Sequence, residues 1–219
     1  MESGLAESLA NRITSMNQHF IYRRWDAQVD VGAEIAAYQS ELKGLIVSGS
    51  AKNVNSQKYT PPTVPSQLLQ LGLPTLGICY GMQCLAKLCG QKIVRCWGDP
   101  KNRQMAMCGG NPQKHKKGKR DTGEQGVVDL TLTRVGRESR LFRGLGRNFK
   151  VWMKHTWMVD GAPEGWKVTA STAACPIAGL ESGNVHLVQF HPEPYYSLAG
   201  KTIMHNFLTH VCEVETPYF

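Results

Sequence analysis

The sequence predicts an α/β fold, an open and mostly parallel sheet flanked by helices. Three observations lead there. The run Gly44-Leu45-Ile46-Val47-Ser48-Gly49 is continuously apolar and ends in a glycine loop, as a strand covered on both faces does. Leu73-Pro74-Thr75-Leu76 reads as a second apolar strand, which passes through Gly77-Ile78-Cys79-Tyr80-Gly81 into a helical stretch. Two parallel strands joined through a helix make a crossover unit, the building block of such sheets. His186 to Phe190 is a further strand, and it runs directly into His191-Pro192-Glu193.

Taken in order, Gly4 to Met16 is expected to be a helix, with Leu5, Leu9, Ile13 and Met16 on one face. Phe20-Ile21-Tyr22 reads as a short strand and Val31 to Tyr38 as a weak helix. Ser50 to Pro65 is polar and proline-rich, hence loop, and Pro65 to Leu71 is a short helix. Met82 to Gly90 is a helix with a glycine stop. Gln91–Cys96, Val127–Thr133 and Lys150–Met153 read as strands; Trp166–Thr172, Pro176–Glu181 and His186–Phe190 form a meander. Gly200 to Cys212 closes the chain as a helix, with Ile203, Phe207, Leu208 and Val211 inward.

A chain of 219 residues with 42% apolar and 19% charged residues can bury a full core. No apolar run approaches the roughly 20 residues needed to cross a bilayer. The start, Met1-Glu2-Ser3-Gly4, is not a secretory signal, and seven cysteines without framework spacing point to reduced thiols and a cytoplasmic setting. The net charge of +8 is local. Residues 97–122 hold seven basic and two acidic residues, which leaves +3 for the rest. Trp97 to Gln125 therefore reads as an exposed basic insertion, residues 97–125, in a single domain of residues 1–212. No aromatic residues alternate with the basic ones, so nucleic acid is not an expected partner. No metal site is expected either. Cys79, Cys84 and Cys89 are five apart, a turn of about 140° on a helix, and Cys96 and Cys108 lack paired spacing.

The chemistry centres on Cys79. A strand-to-helix turn strains its apex, and small residues two before and two after relieve crowding, the device known for serine as a nucleophile elbow. The helix N-terminus there favours a thiolate. Taken alone, Gly-x-Cys-x-Gly also fits a buried structural cysteine. A nucleophile needs a base, and the base needs an orienting group; His191 and Glu193 offer both at a strand end. An acyl-transfer site also needs an oxyanion hole. The Tyr80 N–H is one expected donor, and the loop at Gly49, where the backbone can approach a substrate closely, is the second.

Gly-Ile-Cys-Tyr-Gly-Met-Gln (77–83), the Val-Ser-Gly loop (47–49) and Val-Gln-Phe-His-Pro-Glu (188–193) resemble the class I, triad-type glutamine amidotransferases. Val151-Trp152-Met153 with His155, and Ala170-Ser171-Thr172 followed by Cys175-Pro176-Ile177-Ala178, are similar to the amidotransferase domain of GMP synthetase. The resemblance implies that Cys79 attacks the side-chain amide of glutamine, forming a γ-glutamyl thioester, and that ammonia leaves with a proton from His191. It implies that the ammonia passes to a synthetase domain, which uses ATP and Mg to convert XMP to GMP, with no cofactor in the amidotransferase domain itself. Gln83, Gly49, His155, Thr156 and Trp157 match positions that hold the glutamine. A free-standing γ-glutamyl hydrolase and a catalytically weakened scaffold are the competing readings.

The sequence departs from the family in places. The Ser-Gly-Gly-Pro loop is here Ser48-Gly49-Ser50-Ala51, and Ser-His-Gly-Asp is here Lys154-His155-Thr156-Trp157. The family's first strand, ahead of the first helix, has no counterpart, and no ATP-binding phosphate loop occurs. The expectation is a piece of a two-domain enzyme, with residues 213–219 a tail or the start of a linker to the synthetase domain.

Overall fold

The computed structural model describes residues 2–16, 18, 20, 31–38, 41–56, 69–96 and 123–215. The described chain opens with helices α1 (Glu2–Ser15) and α2 (Val31–Tyr38). Strand β1 (Leu45–Val47) and strand β2 (Thr75–Ile78) follow, and β2 leads through Cys79 into α3 (Tyr80–Leu88). Next come β3 (Ile93–Arg95), β4 (Glu124–Leu132), a short helix α4 (Arg134–Glu138) and a single 3₁₀ turn (Arg140–Phe142). Strands β5 (Asn148–His155), β6 (Trp157–Val159), β7 (Lys167–Ser171), β8 (Gly179–Ser182) and β9 (Val185–Val188) complete the β structure. Helix α5 (Gly200–Asn206) continues as a wider π turn (Phe207–Val211).

Seven strands form one sheet in the order β1-β2-β9-β8-β7-β4-β5. The fold is the expected α/β sheet flanked by helices. Its parallel part is β1, β2 and β9, and the meander supplies the antiparallel remainder. The division follows from the connections. The turn from β8 to β9 is tight, and a tight turn can only join antiparallel neighbours. The sheet also curls. Trp152, on the far edge strand β5, forms a bridge with His191, just beyond β9, through the His191 N–H and the Trp152 carbonyl at 2.8 Å.

Alternation along the central strands loads both faces. On one face Leu76, Ile78 and Val188 join Ile13 of α1 and Met16 just after it, Ile203 and Met204 of α5, and Phe142, Phe190 and Phe207. On the other, Val47 and Leu187 pack with Met82 and Leu85 of α3, and with Ile93 and Val159 of a second, two-stranded sheet, β3-β6. Both sides of the parallel strands are therefore dry, which is why they read as continuous apolar runs.

Several boundaries differ from the sequence reading. The strand after the basic insertion begins at Glu124, because residues 124 and 125 pair with His155 and Lys154 across the ladder. The insertion thus gives way to strand at Glu124, before its expected limit of residue 125; residues 97–122 lie outside the described ones. Within Gln91–Cys96 only Ile93–Arg95 forms a strand, and it pairs with β6 in the small sheet. Ile21, Tyr22 and most of Pro65–Leu71 lie outside the described residues. No helix among the described residues is long and apolar enough to cross a membrane.

Candidate active site

Cys79 caps α3 with φ 52° and ψ −102°, a left-handed conformation for a residue with a side chain. Such backbone costs about 1–3 kcal/mol and persists only where its surroundings hold it. Here the Cys79 N–H donates to the Val188 carbonyl at 2.7 Å, and the Cys79 carbonyl accepts from the Gln83 N–H at 3.1 Å. The two flanking glycines have packing reasons. A Cβ on Gly77 would stand 2.6 Å from Leu187 Cδ2, and one on Gly81 would collide with the Val47 carbonyl oxygen. The elbow is thus pressed between β9 and β1.

His191 and Glu193 arrive from the adjacent strand. The ladder pairs Ile78 with Val188, so the chain leaves both strands side by side before the nucleophile and the base. Glu193 is fully buried, and its Oε1 lies 3.2 Å from His191 Nδ1, leaving Nε2 of the ring for the thiol. Arg12 of α1 fixes the acid's backbone: its Nε donates to the Glu193 carbonyl at 2.8 Å, and its Nη2 to the Pro194 carbonyl. Burial opposes a charge on His191. The Cys79 sulfur within hydrogen-bonding reach, with the Glu193 carboxylate, outweighs that, and the ring's pKa is pushed up to about 10. The raised value favours a proton on the imidazole, beside the Cys79 sulfur.

The remaining expected residues divide. Gly49 lies against the triad: a Cβ there would be 2.9 Å from His191 Cε1 and 3.6 Å from the Cys79 Cβ. Tyr80 is the first residue of α3, directly after the nucleophile, and buried. The Gln83 amide is turned inward, its Nε2 donating to the Trp157 carbonyl at 2.7 Å and to Gln189 Oε1 at 3.2 Å. His155 is buried, with Nδ1 3.1 Å from the Trp157 carbonyl and Nε2 3.1 Å from Glu124 Oε2. Thr156 is exposed at the bend between β5 and β6, and Trp157 is half-buried with the Arg95 guanidinium 5.4 Å from its ring centre. The end of β5 borders the nucleophile, since Cys79 Sγ lies 3.8 Å from the Lys154 carbonyl. Sequence reasoning missed Arg12, Glu124 and Gln189. Of these, Gln189 alone carried a signal, a polar residue inside an otherwise apolar strand end.

A buried thiol–imidazole–carboxylate set thus stands at the carboxyl edge of the parallel strands. The family model for glutamine amidotransferase class I matches residues 1–211, and the chain belongs to that family. Among curated proteins, it is 34% identical over 175 residues to a glutamine-hydrolyzing GMP synthase of Alkaliphilus metalliredigens, covering 79% of this chain and 29% of that protein. It is 30% identical over 215 residues to that of Hydrogenovibrio crunogenus, covering 97% and 36%. The chain thus spans about a third of the length of the curated relatives it matches. A solved glutamine amidotransferase of Thermotoga maritima shares the fold, with a TM-score of 0.67 at 16% identity over 93% of this chain and 91% of that one.

Proposed function

We propose that the chain is the glutaminase unit of a GMP synthase. Cys79 attacks the glutamine side-chain amide, His191 protonates the departing ammonia, and water activated by His191 then releases glutamate from the thioester. Glu193 holds the imidazole in register. The backbone N–H groups of Tyr80 and of the Gly49 loop receive the oxyanion. Gln83, His155, Thr156 and Trp157 line the glutamine side of the site, with Gln83 and His155 acting through the Trp157 carbonyl that both address. The ammonia passes to a synthetase unit in the cytoplasm that uses ATP and Mg to convert XMP to GMP. The observation that carries the reading is the assembled Cys79–His191–Glu193 set. The names of the curated relatives supply the acceptor.

The test is glutamate release from glutamine by wild type and Cys79→Ala, alone and with a synthetase unit, ATP and XMP. Wild type is expected to release glutamate and to let glutamine replace ammonia in GMP formation; the mutant should do neither. Glutamate release without any transfer to XMP would instead identify a free-standing γ-glutamyl hydrolase. No release by wild type in either setting would leave the scaffold reading.

A further inference from the structure

We propose that Cys96, Glu124 and His155 form a metal site, suited to zinc, that clips the end of β3 to the head of the β4–β5 ladder. One ligand atom from each residue lies within 4.8 Å of the other two, and the residues are 0%, 6% and 8% exposed. The thiolate, carboxylate and imidazole are a donor set that zinc accepts and that magnesium and calcium do not favour. Its charges cancel: one thiolate and one carboxylate balance a divalent ion, as a dry site requires.

Geometry supports the assignment. His155 Nε2 and Glu124 Oε2 are 3.1 Å apart because residues 124 and 155 are directly opposed in the ladder. Two such donors, each about 2.1 Å from a zinc ion, would subtend roughly 95° there, about 15° tighter than tetrahedral. Cys96 Sγ faces the Ala174 carbonyl at 3.5 Å and would have to turn from it, closing by about 1 Å, to reach the bond lengths of such a site. The supports around the ligands are those of a metal centre, in which ligands lean on outer hydrogen bonds. His155 Nδ1 faces the Trp157 carbonyl at 3.1 Å, and Glu124 Oε1 accepts from the Thr172 hydroxyl at 2.8 Å. The backbone at Cys96 is tied on both sides, its N–H to the Thr156 carbonyl at 2.9 Å and its carbonyl to the Gly123 N–H at 2.7 Å.

Both ring nitrogens of His155 face oxygen acceptors, yet a neutral ring carries one N–H. In the tautomer that directs that proton at Trp157, Nε2 presents a lone pair to a carboxylate. An ion between them removes the conflict; a second ring proton is the other remedy, and the experiment separates the two. Cys96 and Glu124 also flank residues 97–123 in the sequence, so the ion would tie together two positions 28 apart in the chain. Spacing in the sequence could not reveal the group, since its ligands come from three separate elements.

The experiment titrates chelator-stripped full chain with Zn²⁺ alone against a zinc-sensitive dye, and repeats it with Co²⁺ alone. Wild type is expected to take one tight equivalent and, with cobalt, to show a thiolate charge-transfer band. Cys96→Ser and Glu124→Gln should each bind at least about tenfold more weakly, and Cys96→Ser should lose the band. Cys79→Ala and His210→Ala should bind like wild type, the latter controlling for the surface pair His205–His210, whose ring centres are 6.5 Å apart. No tight equivalent in wild type, unchanged binding in folded Cys96→Ser and Glu124→Gln, or loss of binding in Cys79→Ala or His210→Ala each overturns the proposal. Should Cys96→Ser fail to fold by circular dichroism, Glu124→Gln carries the decision.

Discussion

Gly49→Ala separates catalysis from stability more sharply than removal of any triad member. The added Cβ would stand 2.9 Å from His191 Cε1, whereas ordinary contact begins at 3.4 Å, so the ring must retreat by about half an ångström. It has little room to do so, because the ring is buried, its Nδ1 is held by Glu193 and its backbone by Trp152. Gly49 is not in the left-handed region, so alanine meets no backbone strain there. Alanine even reduces the freedom of the unfolded chain, a gain of about 0.4–1 kcal/mol that offsets much of the crowding. A displacement of about 1 Å in a reacting group costs on the order of 100-fold, so half of that costs roughly 10-fold. The expected result is a fall in kcat of about 10- to 100-fold with KM and the urea midpoint nearly unchanged. Glutamate release gives the rate, and labelling of Cys79 by a glutamine-like electrophile reports the nucleophile separately. A kcat within about threefold of wild type would refute the claim that this glycine exists to make room for the base.

Three further outcomes are expected. Cys79→Gly should be more stable than Cys79→Ala by about 1 kcal/mol, since glycine relieves the strain at φ 52° and loses part of that gain to its own flexibility; equal urea midpoints would contradict the strain. His191 should stay protonated well above its ordinary 6.5 and titrate near 10 in wild type, observed by imidazole NMR, and titrate lower in Cys79→Ala. Because the folded value is the raised one, the stability tied to this proton is complete below about 6.5 and is lost as pH rises through about 10. A wild-type ring titrating near 6.5 would refute the raised value. Arg12→Ala should lower stability by about 1–2 kcal/mol, through two lost charged hydrogen bonds at a half-exposed side chain, and should lower kcat more than it raises KM. Arg12→Lys should recover part of both; a loss of stability with kcat untouched would make Arg12 purely structural.

The parts of the site legible in the sequence were those encoded locally. Cys79 announced itself through two glycines that adjacent strands require, and His191-Pro192-Glu193 through its place at a strand end. The first helix was also legible, because Ile13 and Met16 keep a helical period and do reach the core. What escaped is set by contacts distant in the chain. Arg12 is an ordinary surface-type residue until the fold carries α1 to Glu193, 181 positions away. Glu124 adjoins a charged run and was counted with it, yet the ladder buries it opposite His155. The strand β6 is three residues long and exists because β3 pairs with it, and no three-residue window can signal that. Thr156 and Trp157 follow the same logic: their position at the bend is decided by which strands meet there.

The bridge between Trp152 and His191 has a consequence for how the enzyme loses function. One main-chain link joins the far rim of the rolled sheet to the residue that bears the proton. Unrolling that rim therefore withdraws the imidazole in the same movement. Forms open at β5 are therefore expected to turn over no glutamine, although the Cys79 sulfur loses its neighbour at Lys154. Turnover becomes a direct gauge of whether the roll is shut, and hydrogen exchange at the His191 amide should slow and quicken in step with it.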